Sequence, residues 1–140
     1  MGKKVLIVDD ELNSRTLLAQ LFQEEGYSAE TAENGSVALK ILENTTFDIL
    51  ITDIRMPVID GIELFHRVKE LCPHMPVILF TAYGTTESAV TALKEGAFHY
   101  LEKPVNFDLL IHTVEQALDI KRLETEIINL KKQLAEKKTD

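Results

Sequence analysis

The sequence predicts an α/β fold in which a parallel sheet of five strands carries helices on both faces. Two observations support this prediction. Short apolar runs alternate five times with segments of helical periodicity, which is the pattern of such a (βα)5 fold. Three of the apolar runs end in charged side chains, and open α/β sheets bind ligands outside the carboxyl ends of their strands. We therefore expect one functional site at that edge of the sheet.

Composition limits the class of protein before any motif is considered. The 140-residue chain is long enough for one hydrophobic core, so we expect one folded domain. It contains neither a membrane-spanning apolar run nor a secretory signal, and we expect a cytoplasmic location with no membrane contact. The single cysteine, Cys72, cannot form an internal disulfide and is interpreted as an apolar filler. A formal charge of −8 argues against direct binding of nucleic acid.

The first strand and helix are predicted from two apolar patterns of different period. The run over Lys4–Val8 predicts a strand, and helical spacing predicts a helix over Asn13–Glu25. Gly26 ends this helix, because glycine is common just past a helix terminus. The apolar stripe that we expect to be buried consists of Leu17, Leu18, Leu21 and Phe22.

The second and third strands differ in length and character. A short strand is predicted over Ser28–Thr31, and Asn34 and Gly35 then turn the chain into a second helix. The third strand covers residues 47–52 and ends at Asp53. Because this run is apolar on both faces, it is typical of a central strand of a parallel sheet.

The second half of the chain continues the alternation. Pro57 excludes a regular helix directly after Asp53. The remaining elements are a helix from Asp60-Gly61 to about Leu71, a strand over Val77–Thr81, a helix over Thr85–Glu95, a strand over Phe98–Glu102, and a helix that starts at Asn106 or Phe107.

Charged and hydroxyl side chains at four strand ends predict the chemistry of the site. Asp9, Asp10 and Asp53 form an oxygen cluster that repels itself unless a cation is present, and Mg²⁺ suits carboxylates that share its shell with phosphate oxygens. Lys103 adds a positive charge and Thr81 adds a hydroxyl donor. These groups together are suited to holding a phosphoryl group. Each alone has an ordinary alternative, such as a helix cap for Asp9 or Asp10 and a solvated surface charge for Lys103.

Four motifs in this order resemble those of the receiver domains of two-component response regulators. The resemblance extends from about Lys3 to Leu118. It rests on Val8-Asp9-Asp10, on Asp53-Ile54-Arg55-Met56-Pro57 followed by Asp60-Gly61, on Phe80-Thr81-Ala82, and on Tyr100-Leu101-Glu102-Lys103-Pro104. It implies a CheY-like, flavodoxin-like fold with strand order 2-1-3-4-5.

The resemblance also implies a role for each residue of the site. Asp53 is expected to accept a phosphoryl group from a phosphohistidine of a sensor histidine kinase. The expected ligands of Mg²⁺ are Asp10, Asp53, the backbone carbonyl of Arg55 and, through water, Asp9. The other implied roles are phosphoryl contacts by Thr81 and Lys103, an aromatic switch at Tyr100, facing solvent before the switch, and a cis peptide bond before Pro104.

The tail after Leu118 has the pattern of a coiled coil. The heptad places Ile120, Ile127 and Leu134 at a positions and Leu123 and Leu130 at d positions, which favours a parallel two-stranded coil. The alternative is a helix that folds back on the domain or frays in solvent, since the pattern is short. We divide the chain into a receiver domain, residues 1–118, and a helical linker, residues 119–140.

Residues 84–104 are similar to receivers of NtrC- and DctD-type transcription activators, in which a helix links the receiver to an ATPase that acts on σ54 polymerase. The resemblance therefore implies a phosphorylation-controlled regulator that forms a homodimer through the tail, through the face of the fourth helix, fifth strand and fifth helix, or through both. The alternative is a stand-alone receiver that acts as a phosphorelay or adaptor protein. A haloacid-dehalogenase-like phosphatase is disfavoured, because that family has a second aspartate where this chain has Arg55. We expect no enzymatic activity beyond the chain's own phosphorylation and dephosphorylation.

Overall fold

The strands and helices alternate along the chain as the sequence predicts. The computed structural model describes residues 2–82 and 87–138. The strands are β1 Lys4–Val8, β2 Ser28–Ala32, β3 Ile49–Asp53, β4 Val77–Thr81 and β5 His99–Glu102. The helices are α1 Leu12–Glu24, α2 Gly35–Asn44, α3 Gly61–Leu71, α4 Glu87–Lys94 and α5 Phe107–Lys138.

The five strands form one parallel sheet in the order β2-β1-β3-β4-β5, which confirms the expected topology. The register sets Val8 beside Thr52 and Asp53 beside Phe80, so the carboxyl ends of β1, β3 and β4 lie at the same edge. Parallel strands all leave the sheet at one edge, and this edge therefore collects the residues that follow each strand.

The core consists of two apolar layers, one on each face of the sheet. Alternate residues of each strand point to opposite faces, so Leu6 and Val8 belong to one layer while Val5 and Ile7 belong to the other. The layer of Leu6 includes buried residues of α2, α3 and α4, and the layer of Val5 includes buried residues of α1 and α5. Strands β3 and β4 are buried along their whole length, as expected for central strands covered on both faces.

Side-chain caps fix the starts of two helices that border the functional edge. Asn34 accepts a hydrogen bond from the backbone N–H of Val37 at 2.9 Å, and Asp60 accepts one from that of Glu63 at 2.8 Å. These caps satisfy backbone donors that have no partner within the helix. The predicted start of α3 at Asp60-Gly61 is confirmed.

Several predicted details differ from the structure or lie outside it. Leu17 is 56% exposed, whereas Leu18 and Phe22 are buried, because Leu17 lies one residue off the stripe of α1 that faces the sheet. Strand β3 begins at Ile49 rather than at residue 47. The predicted start of the fourth helix at Thr85 lies outside the described residues.

Helix α5 continues well beyond the body of the fold. Its buried residues Leu110, Thr113, Val114 and Ala117 pack against the sheet, whereas the side chains described after Lys121 are exposed. The helix has no break near residue 118, and it extends to Lys138. Among the described residues, no helix is both long enough and apolar enough to cross a membrane.

Gly61 allows the start of α3 to approach the end of β3. A Cβ atom at this position would lie 2.1 Å from the carbonyl oxygen of Asp53 and 2.7 Å from the Cα of Ile54. Both are backbone atoms, so no side-chain rotation relieves the overlap. A Cβ at Gly35 would instead meet the Ile59 side chain at 3.1 Å.

We therefore expect Gly61→Ala to lower the free energy of unfolding by about 2 kcal/mol, because the added methyl displaces the backbone at the end of β3. Gly35→Ala is the matched control and should change stability by less, since a side chain there can adjust. Urea unfolding followed by circular dichroism measures both. Equal losses for the two variants would contradict this account of the close approach.

Candidate functional site

Three carboxylates meet at the carboxyl edge of the sheet, as predicted. Asp9 and Asp10 follow the last residue of β1, and Asp53 is the last residue of β3. One carboxylate oxygen from each of the three lies within 4.8 Å of the other two. Asp9 and Asp53 are buried and Asp10 is exposed, so the cluster opens to solvent on the Asp10 side.

Asp9 is held rigidly and still has one oxygen without a hydrogen bond. Its Oδ1 accepts from the backbone N–H of Glu11 at 2.9 Å, and its backbone carbonyl accepts from Arg15 Nη1 at 3.2 Å. Its Oδ2 is buried and accepts no hydrogen bond from the described residues, although Lys103 Nζ lies 3.7 Å away. A buried carboxylate oxygen normally has a partner, and this one points to a ligand of the site.

Lys103 connects the carboxylates to the other half of the sheet. Its Nζ donates to Asp53 Oδ2 at 2.5 Å, and its backbone N–H donates to the carbonyl oxygen of Thr81 at 2.8 Å. The peptide bond between Lys103 and Pro104 is cis, the isomer implied by the resemblance. The side chain of Lys103 is 25% exposed, so its ammonium group reaches the cluster from the rim.

The two residues with predicted switch roles lie on neighbouring strands. Thr81 is buried at the end of β4, beside Glu102 of β5. Tyr100 of β5 is half-buried and packs against the core layer that includes Ala92 and Ala97. Its backbone N–H donates to His99 Nδ1 at 2.8 Å, and the two rings meet edge to face.

Burial and neighbouring charges act against each other at Asp53 and Lys103. Burial raises the pKa of Asp53, Lys103 lowers it by its hydrogen bond and charge, and the charges of Asp9 and Asp10 raise it again, so the pKa is raised overall. At Lys103 burial lowers the pKa, but the hydrogen bond and charge of Asp53 and the charges of Asp9 and Glu11 outweigh it, and the pKa is raised. The lysine therefore stays charged at neutral pH, while the ionised form of Asp53 is disfavoured.

The loop after β3 forms one wall of an open cleft beside the carboxylates. The cleft has a volume of about 560 Å³. It is lined by Asp10, Ile54, Arg55, Met56, Pro57, Asp60 and Ser88. Arg55 is exposed in this wall, at the position whose backbone carbonyl is predicted to bind the metal. The cleft therefore gives a solvent-open approach to the carboxylates on the Asp10 side.

The donor set fits a divalent cation that prefers oxygen. The cluster consists of three aspartates, and no cysteine or histidine belongs to it among the described residues. Asp9 Oδ2 is buried and accepts no hydrogen bond from those residues. Hard oxygen ligands of this kind, open to solvent on one side, suit Mg²⁺, which retains several waters. The acidic cluster is thus consistent with the Mg²⁺ site of receiver domains.

Comparison with protein families decides the class of the fold and of its site. A family profile described as the response regulator receiver domain matches residues 5–115, which include all three carboxylates and Lys103. The chain belongs to this family. The resemblance drawn from the four motifs is therefore confirmed.

Individual relatives agree with this assignment of the receiver domain. A putative NtrX-like response regulator of Rickettsia felis is 40% identical over 135 residues, which are 95% of this chain and 28% of that protein. Transcriptional regulatory protein ZraR of Escherichia coli K12 is 42% identical over 114 residues, which are 81% of this chain and 26% of that protein. The chain thus spans little more than a quarter of the length of these curated relatives.

Solved structures show the same fold. A response regulator receiver domain protein from Clostridium thermocellum has a TM-score of 0.82 and 35% identity, covering 86% of this chain and 98% of that one. NtrX from Brucella abortus has a TM-score of 0.87 and 32% identity, covering 93% of this chain and 30% of that one.

The raised pKa of Asp53 predicts how Mg²⁺ and pH act on stability. Between the ordinary value of 3.8 and the raised value, the folded receiver holds a proton that the unfolded chain has lost. The contribution of Asp53 to stability is therefore greatest below pH 3.8 and decreases as the pH rises through this window. Above the window, the ionised carboxylate destabilises the metal-free fold.

We expect Mg²⁺ at neutral pH to stabilise the receiver by about 2.7 kcal/mol when its concentration is 100 times the dissociation constant. Asp53→Asn should be at least as stable as the parent without metal and should respond much less to Mg²⁺. Asp48→Asn, which changes a carboxylate before the opposite end of β3, is the control. Thermal unfolding at several pH values tests this, and an equal Mg²⁺ response of all three proteins would contradict the assigned site.

Val58 is a feature of the site loop that the sequence analysis missed. Its φ of +70° lies in the left-handed region, which is unfavourable for a β-branched residue, and its side chain is 89% exposed. The local Pro57-Val58 sequence has no signal for this conformation, since glycine or asparagine usually marks it.

We expect Val58→Gly to raise the free energy of unfolding by about 1 kcal/mol, because glycine adopts this conformation without strain. The added freedom of glycine in the unfolded chain reduces the gain, so Val58→Ala serves as the comparison with intermediate relief. Urea unfolding measures the series. A loss of stability in Val58→Gly would show that the valine side chain stabilises the loop despite its exposure.

Proposed function

We propose that this chain is the phosphorylation-activated receiver of a two-component regulator, with Asp53 as its phospho-acceptor. The observation that supports this most strongly is the meeting of three carboxylates and Lys103 at one edge of the sheet, with Asp53 beside an open cleft. The ammonium group of Lys103 beside Asp53 would suit an acyl phosphate, and the family assignment supports the same role.

The proposed transfer is nucleophilic catalysis by a carboxylate. A carboxylate oxygen of Asp53 attacks the phosphorus of a phosphohistidine on a sensor histidine kinase. The phosphorus–nitrogen bond breaks, its electron pair remains on the imidazole of the kinase, and an acyl phosphate forms on Asp53. Phosphoryl transfer has a loose transition state, so the receiver contributes chiefly position and charge.

Lys103 and the acidic residues would have different electrostatic roles in the transfer. Before transfer, the ammonium group of Lys103 donates a hydrogen bond to Asp53. After transfer it would neutralise a phosphoryl oxygen, because its raised pKa keeps it charged. Mg²⁺, when held by Asp10, Asp53, the carbonyl of Arg55 and, through water, Asp9, would supply further positive charge to the phosphoryl oxygens. Asp9 is fixed by Glu11 and Arg15 and would keep the shell in place.

The switch is proposed to act through Thr81 and Tyr100. A dianion on Asp53 would attract the Thr81 hydroxyl, and the Tyr100 ring would occupy the space that Thr81 leaves. The bond between the Lys103 N–H and the Thr81 carbonyl already couples the ends of β4 and β5. The surface that changes is therefore the face formed by α4, β5 and α5.

A groove beside the site is suited to the kinase. It has a volume of about 260 Å³ and lies between α1 and the segment that joins β5 to α5. Leu17 and Leu21 of α1 and Pro104 line it together with Lys103. A kinase that delivers a phosphoryl group to Asp53 must contact the surface next to Lys103, and the exposure of Leu17, unexpected from the sequence, provides an apolar contact there.

The wider context is proposed from the relatives and from the tail. Transcriptional regulatory protein ZraR supports a role in transcription, and a σ54-dependent activator is the class implied by the motifs. We assign residues 1–118 to the receiver and 119–140 to a helical linker that forms a homodimer. The alternative is a stand-alone receiver that serves as a phosphorelay or adaptor, which a chain that remains monomeric in both phosphorylation states would favour.

The acceptor is tested with acetyl phosphate, a small donor that needs no kinase. The parent should gain one phosphoryl group in the presence of Mg²⁺, detected as 80 Da by mass spectrometry, about the mass of HPO₃ expected for acyl phosphate formation. Asp53→Asn should gain none, and the control Asp48→Asn should behave as the parent. Phosphorylation of Asp53→Asn to the parental extent would refute the assignment.

A further inference from the structure

The C-terminal end of α4 is held by two side chains of the neighbouring helix α3. Lys69 Nζ donates a hydrogen bond to the backbone carbonyl oxygen of Glu95, and His66 Nε2 donates one to Glu95 Oε2 at 2.5 Å. The last carbonyl groups of a helix have no partner within it and carry the negative end of its dipole. Lys69 therefore supplies a donor and a positive charge at a helix end where both are stabilising. We call these three residues the α3–α4 clamp.

The backbone at the same end of α4 is closed by hydrogen bonds of its own. The N–H of Gly96 donates to the carbonyl oxygen of Leu93 at 3.2 Å, and the N–H of Ala97 donates to that of Ala92 at 2.9 Å. Gly96 has a φ of +114°, and the two bonds form a Schellman motif. Ala92 and Ala97 are buried in one core layer. The C-terminal end of α4 is thus fixed by backbone bonds, burial and the clamp together.

Helix α3 is a firm support for the clamp. It buries Leu64, Phe65 and Val68, so a shift of the helix would open cavities in the core beneath these side chains. At its start, the N–H of Gly61 donates to the carbonyl oxygen of Ile54 at 2.7 Å, directly after β3. The clamp therefore ties the end of α4 to the sheet through α3.

The rest of α4 is held more weakly than its end. Its buried residues are Ala89 and Ala92, whose side chains are single methyl groups. Such small side chains make few contacts with the sheet, and a segment with few buried apolar contacts has low local stability. In the first turn, Ser88 lines the cleft together with Asp10 and Arg55. Helix α4 thus has a weakly held end at the proposed phosphorylation site and a firmly held end in the clamp.

We propose that the clamp fixes the C-terminal end of α4, so that a phosphoryl group on Asp53 tilts α4 about Glu95 instead of displacing the whole helix. The eight residues of α4 rise about 12 Å, so a tilt of about 15° moves the first turn by about 3 Å and leaves the last turn in place. Lys69 and His66 are thus positioning residues. The inference rests on the proposed function only for its trigger, the phosphoryl group, because the clamp itself consists of contacts in the structure.

The two positioning residues contribute unequally to the clamp. The side chains of His66 and Glu95 are 48% and 39% exposed, and an exposed ion pair contributes little. Lys69 instead contacts the backbone carbonyl of Glu95, where its charge also acts on the helix dipole. Glu95→Gln keeps that backbone contact and removes the carboxylate that His66 contacts, so it separates the two contributions.

Amide hydrogen exchange, followed by NMR on the 140-residue chain, tests the clamp without any phosphoryl donor. Lys69→Met removes the donor and its charge, and it should speed exchange of the Glu95 and Ala97 amides about fivefold. Glu95→Gln should speed exchange at Ala97 less. Arg67→Met is the matched control, because Arg67 lies on α3 and pairs with Glu63 of the same helix at 3.1 Å. Equal exchange in Lys69→Met and Arg67→Met would overturn the clamp.

Distances between pairs of spin labels test the tilt. One label at Lys40→Cys on α2 is the reference, and the second is at Glu87→Cys or at Lys94→Cys, all three positions being exposed. Cys72→Ser removes the native thiol. Mg²⁺ and beryllofluoride should change the parental distance to residue 87 by up to about 3 Å and the distance to residue 94 by less than about 1 Å. In Lys69→Met, both distances should change.

Three outcomes would overturn the tilt. Equal changes at both ends of α4 in the parent would show displacement of the whole helix, and the parental pattern in Lys69→Met would show that the clamp does not set the pivot. An unchanged distance to residue 87, while fluorine NMR detects bound beryllofluoride, would show that α4 does not respond. If no beryllofluoride binds, the proposed function itself fails and the tilt loses its trigger, whereas hydrogen exchange still decides the clamp.

Discussion

The site depends on the balance between three carboxylates and the ammonium group of Lys103. Strands β1 and β3 are apolar and buried, and they bring Asp9 and Asp53 to the same edge of the sheet, where burial raises the pKa of Asp53 and disfavours its ionised form. Lys103 neutralises one of the three negative charges through its bond to Asp53. Two negative charges remain, which a divalent cation neutralises. This excess of negative charge is consistent with the Mg²⁺ site of receiver domains.

Lys103 also connects this chemistry to the distant parts of the fold. Its side chain contacts Asp53, its backbone N–H is bonded to Thr81, and the chain after it enters α5 at Phe107. Lys103 therefore joins Asp53 to the end of β4 by hydrogen bonds and lies in the segment that leads into α5. Helix α5 then continues without a break to Lys138.

Most of the fold and the members of the site could be predicted from the sequence, because local signals and chemistry agree there. Strand ends that carry Asp9, Asp53 and Lys103 are visible as apolar runs followed by charges, and the cap at Asp60 is visible as an Asp-Gly turn. The exposure of Leu17 and the left-handed backbone of Val58 could not be predicted. Each depends on how elements from distant parts of the chain pack, and apolar spacing along a single helix or strand contains no information about that packing.

The most direct test of the central claim is a crystal structure of the chain with Mg²⁺ and beryllofluoride. The account predicts beryllium bonded to a carboxylate oxygen of Asp53 and a fluorine that accepts a hydrogen bond from Lys103 Nζ. It also predicts a metal ion that contacts Asp10, Asp53 and the carbonyl of Arg55. It further predicts that Asp9 Oδ2, which accepts no hydrogen bond from the described residues, accepts one from a water bound to the metal. Beryllofluoride at another side chain, or a metal ion that does not contact Asp53, would contradict the account.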